Sequence, residues 1–179
     1  MDVAVLGLGN VLMGDDAAGP HVLRLLSSRL ELPPEVELLD LGTPGPELAH
    51  IVEGRDALIV VDTVRYRDGR PGELRLLRRA EIVRGNMPQR LSPHDPSLRG
   101  ALLAADFAGH SPREALLVGI VPGPTELGIG LSPAVEAALD GAVAAVEAEL
   151  VRLGVATRRR PAPEPVAAWW QPVDAAAIA

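Results

Sequence analysis

Polar side chains fall at a few places where an α/β fold could use them for chemistry. Asp15 and Asp16 follow the short apolar run Val3 to Leu8, Asp62 comes near the end of Ala57-Leu58-Ile59-Val60-Val61-Asp62-Thr63-Val64, and His94 lies in Ser92-Pro93-His94-Asp95. Open parallel sheets bind ligands outside the carboxyl ends of their strands. Two carboxylates and an imidazole gathered there would suit a divalent transition metal and leave coordination positions open. Either carboxylate could instead serve as a general base. Asp40, in Asp40-Leu41-Gly42-Thr43, ends another short apolar run. Each residue also has a plainer reading. Asp15 and Asp16 suit a helix cap, Asp62 a turn at a strand end, and His94 a loop position before Asp95-Pro96. His21, His50 and His110 are read as structural or solvated.

Several familiar sites are missing. Gly7-Leu8-Gly9-Asn10 lacks the third glycine of a dinucleotide-binding turn, because position 12 is Leu. There is no phosphate-binding P-loop, no G-x-S-x-G elbow, no cysteine and no H-E-x-x-H. A standard serine, cysteine or zinc protease is therefore not expected. Any metal must sit on carboxylates, imidazoles or backbone oxygens.

The elements that would position these residues can be read from periodicity. Val3 to Leu8 is a buried strand stopped by Gly9-Asn10. From Ala18 to Leu30, Val22, Leu23, Leu26 and Leu30 recur at helical spacing. Val36 to Leu41 is a second strand, and Thr43-Pro44 reads as a cap and first residue of a helix bearing Leu48, Ile51 and Val52. Ala57 to Val64 is apolar on both faces, which points to a parallel sheet covered on each side. Glu73 to Leu77 reads as a further strand at an edge. An irregular stretch, 84–97, precedes a helix through Leu98, Leu102 and Phe107, and Ala115 to Val121 is a fifth strand. Ser132-Pro133 then caps a long helix with Val135, Leu139, Val143, Val146, Leu150 and Leu153 on one face. This alternation predicts a three-layer α/β/α sandwich around a mainly parallel, twisted sheet of about five strands. One domain is expected over 1–156, followed by a flexible, Pro- and Arg-rich tail over 157–179. The pair Trp169-Trp170 interrupts that tail and suits docking on the body or on a partner.

Bulk properties narrow the setting. The 179 residues are 47% hydrophobic but only 2% aromatic, so Val, Leu, Ile and Ala must fill the core. A net charge of −7 makes nucleic acid and anionic membrane poor partners. The start reads as a strand, not a signal peptide, and no stretch could span a bilayer, so a cytoplasmic location is expected.

Taken in order, the motifs resemble a known family. Gly7-Leu8-Gly9-Asn10-Val11-Leu12-Met13-Gly14-Asp15-Asp16, then Gly19, is similar to the opening of the hydrogenase maturation endopeptidases. Asp40-Leu41-Gly42-Thr43-Pro44-Gly45 resembles that family's D-G-G-T-x-G segment. Leu58 to Val64 with Pro71-Gly72, Ser92-Pro93-His94, Val118 to Pro122 and Gly130 to Val135 resemble its later blocks, so the likeness runs from about residue 3 to 153. That family trims a C-terminal extension from the large subunit of nickel–iron hydrogenases after nickel insertion. The resemblance implies the same α/β fold and a peptidase whose partner is the large-subunit precursor, with a monomer favoured. It implies a metal-binding and catalytic set of Asp16, Asp62 and His94, and substrate binding by Asp40 and Thr43. Nickel would arrive with the substrate, although other divalent metals could occupy the site. Position 16 is Asp where some relatives have Glu, and Leu41 and Ala17 stand where glycine is usual. Two other readings compete: a non-catalytic, nickel-recognising chaperone on the same scaffold, and a nucleotide-binding α/β domain.

Overall fold

The computed structural model describes residues 1–84, 98–166, 168 and 170. The chain runs β1 (Val3–Leu8), α1 (Ala18–Arg29), β2 (Leu30–Glu31), β3 (Val36–Gly42), α2 (Leu48–Val52), β4 (Ala57–Thr63), β5 (Leu74–Arg78), α3 (Arg79–Arg84), α4 (Leu98–Ala108), β6 (Glu114–Ile120), α5 (Pro133–Arg152) and β7 (Arg158–Arg159). Five strands form one sheet in the order β3-β1-β4-β6-β5. All neighbours are parallel except β5, which runs antiparallel to β6 at the edge. The expected three-layer fold is present.

Burial follows the residue types. Every residue of β1 and β4 is buried, as expected for central strands covered on both faces. Val3, Val5, Ile59, Val61 and Val118 pack against Val22 and Leu26 of α1 and Val135, Val143 and Val146 of α5. The alternate residues Ala4, Leu6, Leu58, Val60 and Leu117 face Leu48 of α2, Ile82 of α3 and Leu98 and Leu102 of α4. This is the period-2 division of side chains between two faces. Gly19 allows α1 to lie close on the sheet: a Cβ there would stand 2.2 Å from the Leu8 carbonyl oxygen and 2.7 Å from that of Val61.

Two local expectations change. Thr43 does not cap the second helix, which begins at Leu48 after Glu47. Pro46 disfavours helical backbone at the preceding Gly45, so the helix cannot start at Pro44; instead the Glu47 carboxylate accepts the Gly45 N–H at 2.7 Å. Ser132 does cap α5, but its hydroxyl also serves a second partner, described below. Asp95-Pro96, which can start the helix through Leu98 and Leu102, lies outside the described residues.

Beyond α5 the chain returns along α1. β7 pairs antiparallel with β2, the Arg160 N–H donates to the Arg29 carbonyl at 2.8 Å, and the Glu164 N–H donates to that of Ser28 at 2.9 Å. Trp170 is buried against Val11 and Ala17, with its ring centroid 5.6 Å from that of His21. Among the described residues no helix is long and apolar enough to cross a membrane.

Candidate active site

The sheet order fixes where a site can form. β1 and β4 are adjacent and parallel, but the chain leaves β1 toward α1 on one face and reaches β4 from α2 on the other. Diverging connections open a crevice at the carboxyl ends of such strands. Asp16 follows β1 and Asp62 lies at the end of β4, so both expected carboxylates come to this crevice.

The turn after β1 is shaped by its glycines. Gly9 has φ +131°, and a Cβ there would lie 1.8 Å from the Asp16 carbonyl oxygen. The chain therefore folds back tightly, and the Asn10 N–H donates to Asp16 Oδ2 at 2.8 Å. The other oxygen, Asp16 Oδ1, accepts the Thr63 hydroxyl at 2.8 Å. Thr63 also donates its N–H to Asp62 Oδ1 at 2.8 Å. One residue thus touches both carboxylates.

Asp15 turns the other way. It is 1% exposed and saturated with donors. Its Oδ2 accepts from the Gly123 N–H at 2.7 Å and the Ser132 hydroxyl at 2.8 Å, and its Oδ1 accepts from the Ser132 N–H at 2.6 Å. These bonds lash the 122–132 loop and the start of α5 to the turn that carries Asp16. The Asp15 and Gly14 N–H groups complete the lashing by donating to the Pro124 and Gly128 carbonyls at 3.0 and 2.9 Å.

Asp40 and Thr43 lie beside this turn. A groove of about 410 Å³ runs between residues 9–12 and residues 40–43. Asp40 is exposed, and its carboxylate accepts the Gly42 N–H at 3.3 Å. Thr63 thus contacts both Asp16 and Asp62, and Asp40 and Thr43 line the neighbouring groove. His94 lies outside the described residues, in the segment leading to α4. Among the described residues no three acidic or imidazole side chains converge on one point, so Asp16 and Asp62 are the two members of the expected set that can be placed.

The remaining histidines stand apart from these carboxylates. His21 is buried in α1, and burial, with Arg24 nearby, pushes its pKa below the usual histidine range. His50 is exposed, and His110 Nδ1 is 3.1 Å from Glu53. Sequence reasoning missed Thr63, Asn10 and Ser132 as site contacts. The position of Thr63 directly after a strand-end aspartate was an available signal, whereas the bonds of Asn10 and Ser132 depend on loop geometry that residue types do not reveal.

Chemically, the crevice offers the carboxylates of Asp16 and Asp62, the first held by neutral donors among the described residues. Such groups can accept a cation or take a proton from water. Residues 20–149 match the hydrogenase maturation protease family. The chain belongs to that family. It is 39% identical over 155 residues to the hydrogenase 2 maturation protease of Escherichia coli K12, covering 87% of this chain and 94% of that protein. The solved hydrogenase maturating endopeptidase HybD of E. coli superposes on this protease with a TM-score of 0.83 at 38% identity, covering 89% of this chain and 98% of the other. A nickel–iron hydrogenase maturation protease from Thermococcus kodakarensis superposes with a TM-score of 0.64 at 27% identity, over 83% and 99% of the two chains. This protease is a peptidase, and its catalysis must be sought without a serine or cysteine nucleophile in any of the standard motifs.

Proposed function

We propose that the protease removes a C-terminal extension from the nickel-loaded precursor of a nickel–iron hydrogenase large subunit. In this reading it acts in the cytoplasm as a monomer. The observation that carries the reading is the pair Asp16 and Asp62 at the β1/β4 crevice, with Asp16 held, among the described residues, by the neutral donors of Asn10 and Thr63.

Nickel is cargo of the substrate in this scheme. The precursor's thiolates hold it, and Asp16, Asp62 and His94 complete its coordination. The bound metal then places the scissile peptide at the crevice and polarises its carbonyl or a water. A carboxylate acting as general base on that water is compatible with the same placement. Asp40 and Thr43 contact the extended peptide along the neighbouring groove.

The 122–130 loop provides a docking surface for the folded precursor. Leu127 and Ile129 on this loop are 84% and 59% exposed, and Leu12 on the facing turn is 44% exposed. The Gly128 N–H donates to the Leu12 carbonyl at 2.9 Å, so these apolar side chains stand on two joined loops at the rim of the site. Exposed apolar groups of this kind, on loops held over a rigid sheet, suit a protein partner.

The test is to incubate the protease with nickel-loaded and nickel-free precursor and to measure the precursor's mass. Loss of a C-terminal peptide from the loaded form alone is expected. Binding without loss of mass, across cognate precursors, would replace this reading with that of a nickel-recognising chaperone.

A further inference from the structure

We infer that Thr63 is a positioning residue that sets the two working carboxylates in register. This rests on the proposal that Asp16 and Asp62 do the chemistry. Thr63 is 5% exposed at the end of β4, where its neighbours Val61 and Val64 are also buried. Alternation along the strand sends its side chain to the α1 face, with Ile59 and Val61. That is the face on which the Asp16 turn enters α1.

The hydrogen-bond roles are fixed by chemistry. An ionised carboxylate can only accept, so the Thr63 hydroxyl must donate to Asp16 Oδ1, across 2.8 Å. The Asn10 N–H holds Asp16 Oδ2 at the same distance. With a donor on each oxygen, the Asp16 carboxylate cannot rotate freely, and its remaining lone pairs keep a set direction. The Thr63 N–H meanwhile restrains Asp62 Oδ1. Threonine suits this role because its β-branch leaves few side-chain rotamers, so the hydroxyl is presented ready-made. Groups that orient metal-contacting side chains from behind typically change affinity or activity by about 10- to 100-fold when removed.

Three variants test the role. Thr63→Val keeps the shape and removes the hydroxyl, Thr63→Ser keeps the hydroxyl, and Thr63→Ala takes the place of valine if that variant does not fold. Two readouts are taken: the position of the Asp16 carboxylate in crystals of each variant, and kcat/KM on nickel-loaded precursor. Valine is expected to displace the Asp16 carboxylate and to lower kcat/KM by about 10- to 100-fold. Serine is expected to restore both. An Asp16 carboxylate unmoved in the valine variant, with unchanged turnover, would overturn the inference, as would a serine variant as defective as valine. If the wild-type protein cleaves no precursor, the functional proposal fails, and the crystals alone still decide whether Thr63 positions Asp16.

Discussion

Glu149 on α5 and Asp16 before α1 both place a carboxylate against the body of the protein, but they are neutralised differently. Glu149 has 3% of its side chain exposed and is gripped by Arg78 at 2.6 Å and by Arg152 at 2.8 and 2.9 Å. Arg152 also reaches Glu114 at 2.7 Å. Asp16, and Asp15 beside it, receive only N–H and O–H donors, and neither forms an ion pair among the described residues. A buried carboxylate that meets guanidinium groups has its charge cancelled inside the fold. One that meets only neutral donors stays hydrogen-bonded but keeps its attraction for a cation. The first arrangement serves stability, and the second leaves a charge available for work.

That contrast can be broken first at Asp15, which shares the neutral environment of Asp16 but not its accessibility. Asp15→Ala strips three hydrogen bonds and orphans the N–H groups of Gly123 and Ser132. A loss of about 3 kcal/mol is expected, read as a shift in the denaturant midpoint. A smaller loss, under about 1 kcal/mol, would mean that the lashing of the 122–132 loop matters little to the fold.

The ion-paired side of the comparison is sharpened by Glu149→Gln. Burial pushes the Glu149 carboxyl up, and the hydrogen bonds from Arg152 and Arg78 more than reverse this, so its pKa lies below the ordinary glutamate value. A lowered folded-state pKa stabilises the native protein above the unfolded-state pKa. That contribution is lost as pH falls through the folded-state value. The glutamine variant should lose about 2 kcal/mol at neutral pH, converge on the wild type in acid, and keep its turnover. Stability equal to the wild type at pH 7 would show that the arginines contribute little.

Much of this was legible in the sequence because it depends on apolar patterning. The run Ala57 to Val64 could only be a central strand, and Val135, Leu139, Val143, Val146 and Leu150 mark the buried face of α5. Asp16 and Asp62 were legible as residues at strand ends, although their role came from the resemblance. The opposite orientations of Asp15 and Asp16 were not legible, since two adjacent aspartates have the same chemistry and differ only in which loop reaches them. β2 and β7 escaped for a similar reason: two residues carry no periodicity, and their pairing depends on the path of the chain after α5. Arg158-Arg159 falls in the stretch expected to be a flexible tail, and Arg159 forms an ion pair with Glu147 at 2.6 Å.

In the proposed function the carboxylates at the β1/β4 crevice, with His94, perform the cleavage. The most direct measurement is the rate of precursor processing by Asp16→Asn, Asp62→Asn and His94→Ala, taken alongside each variant's thermal midpoint. Rates lowered by about 10²- to 10⁴-fold are expected in proteins that remain folded. Processing at the wild-type rate by all three variants would contradict it.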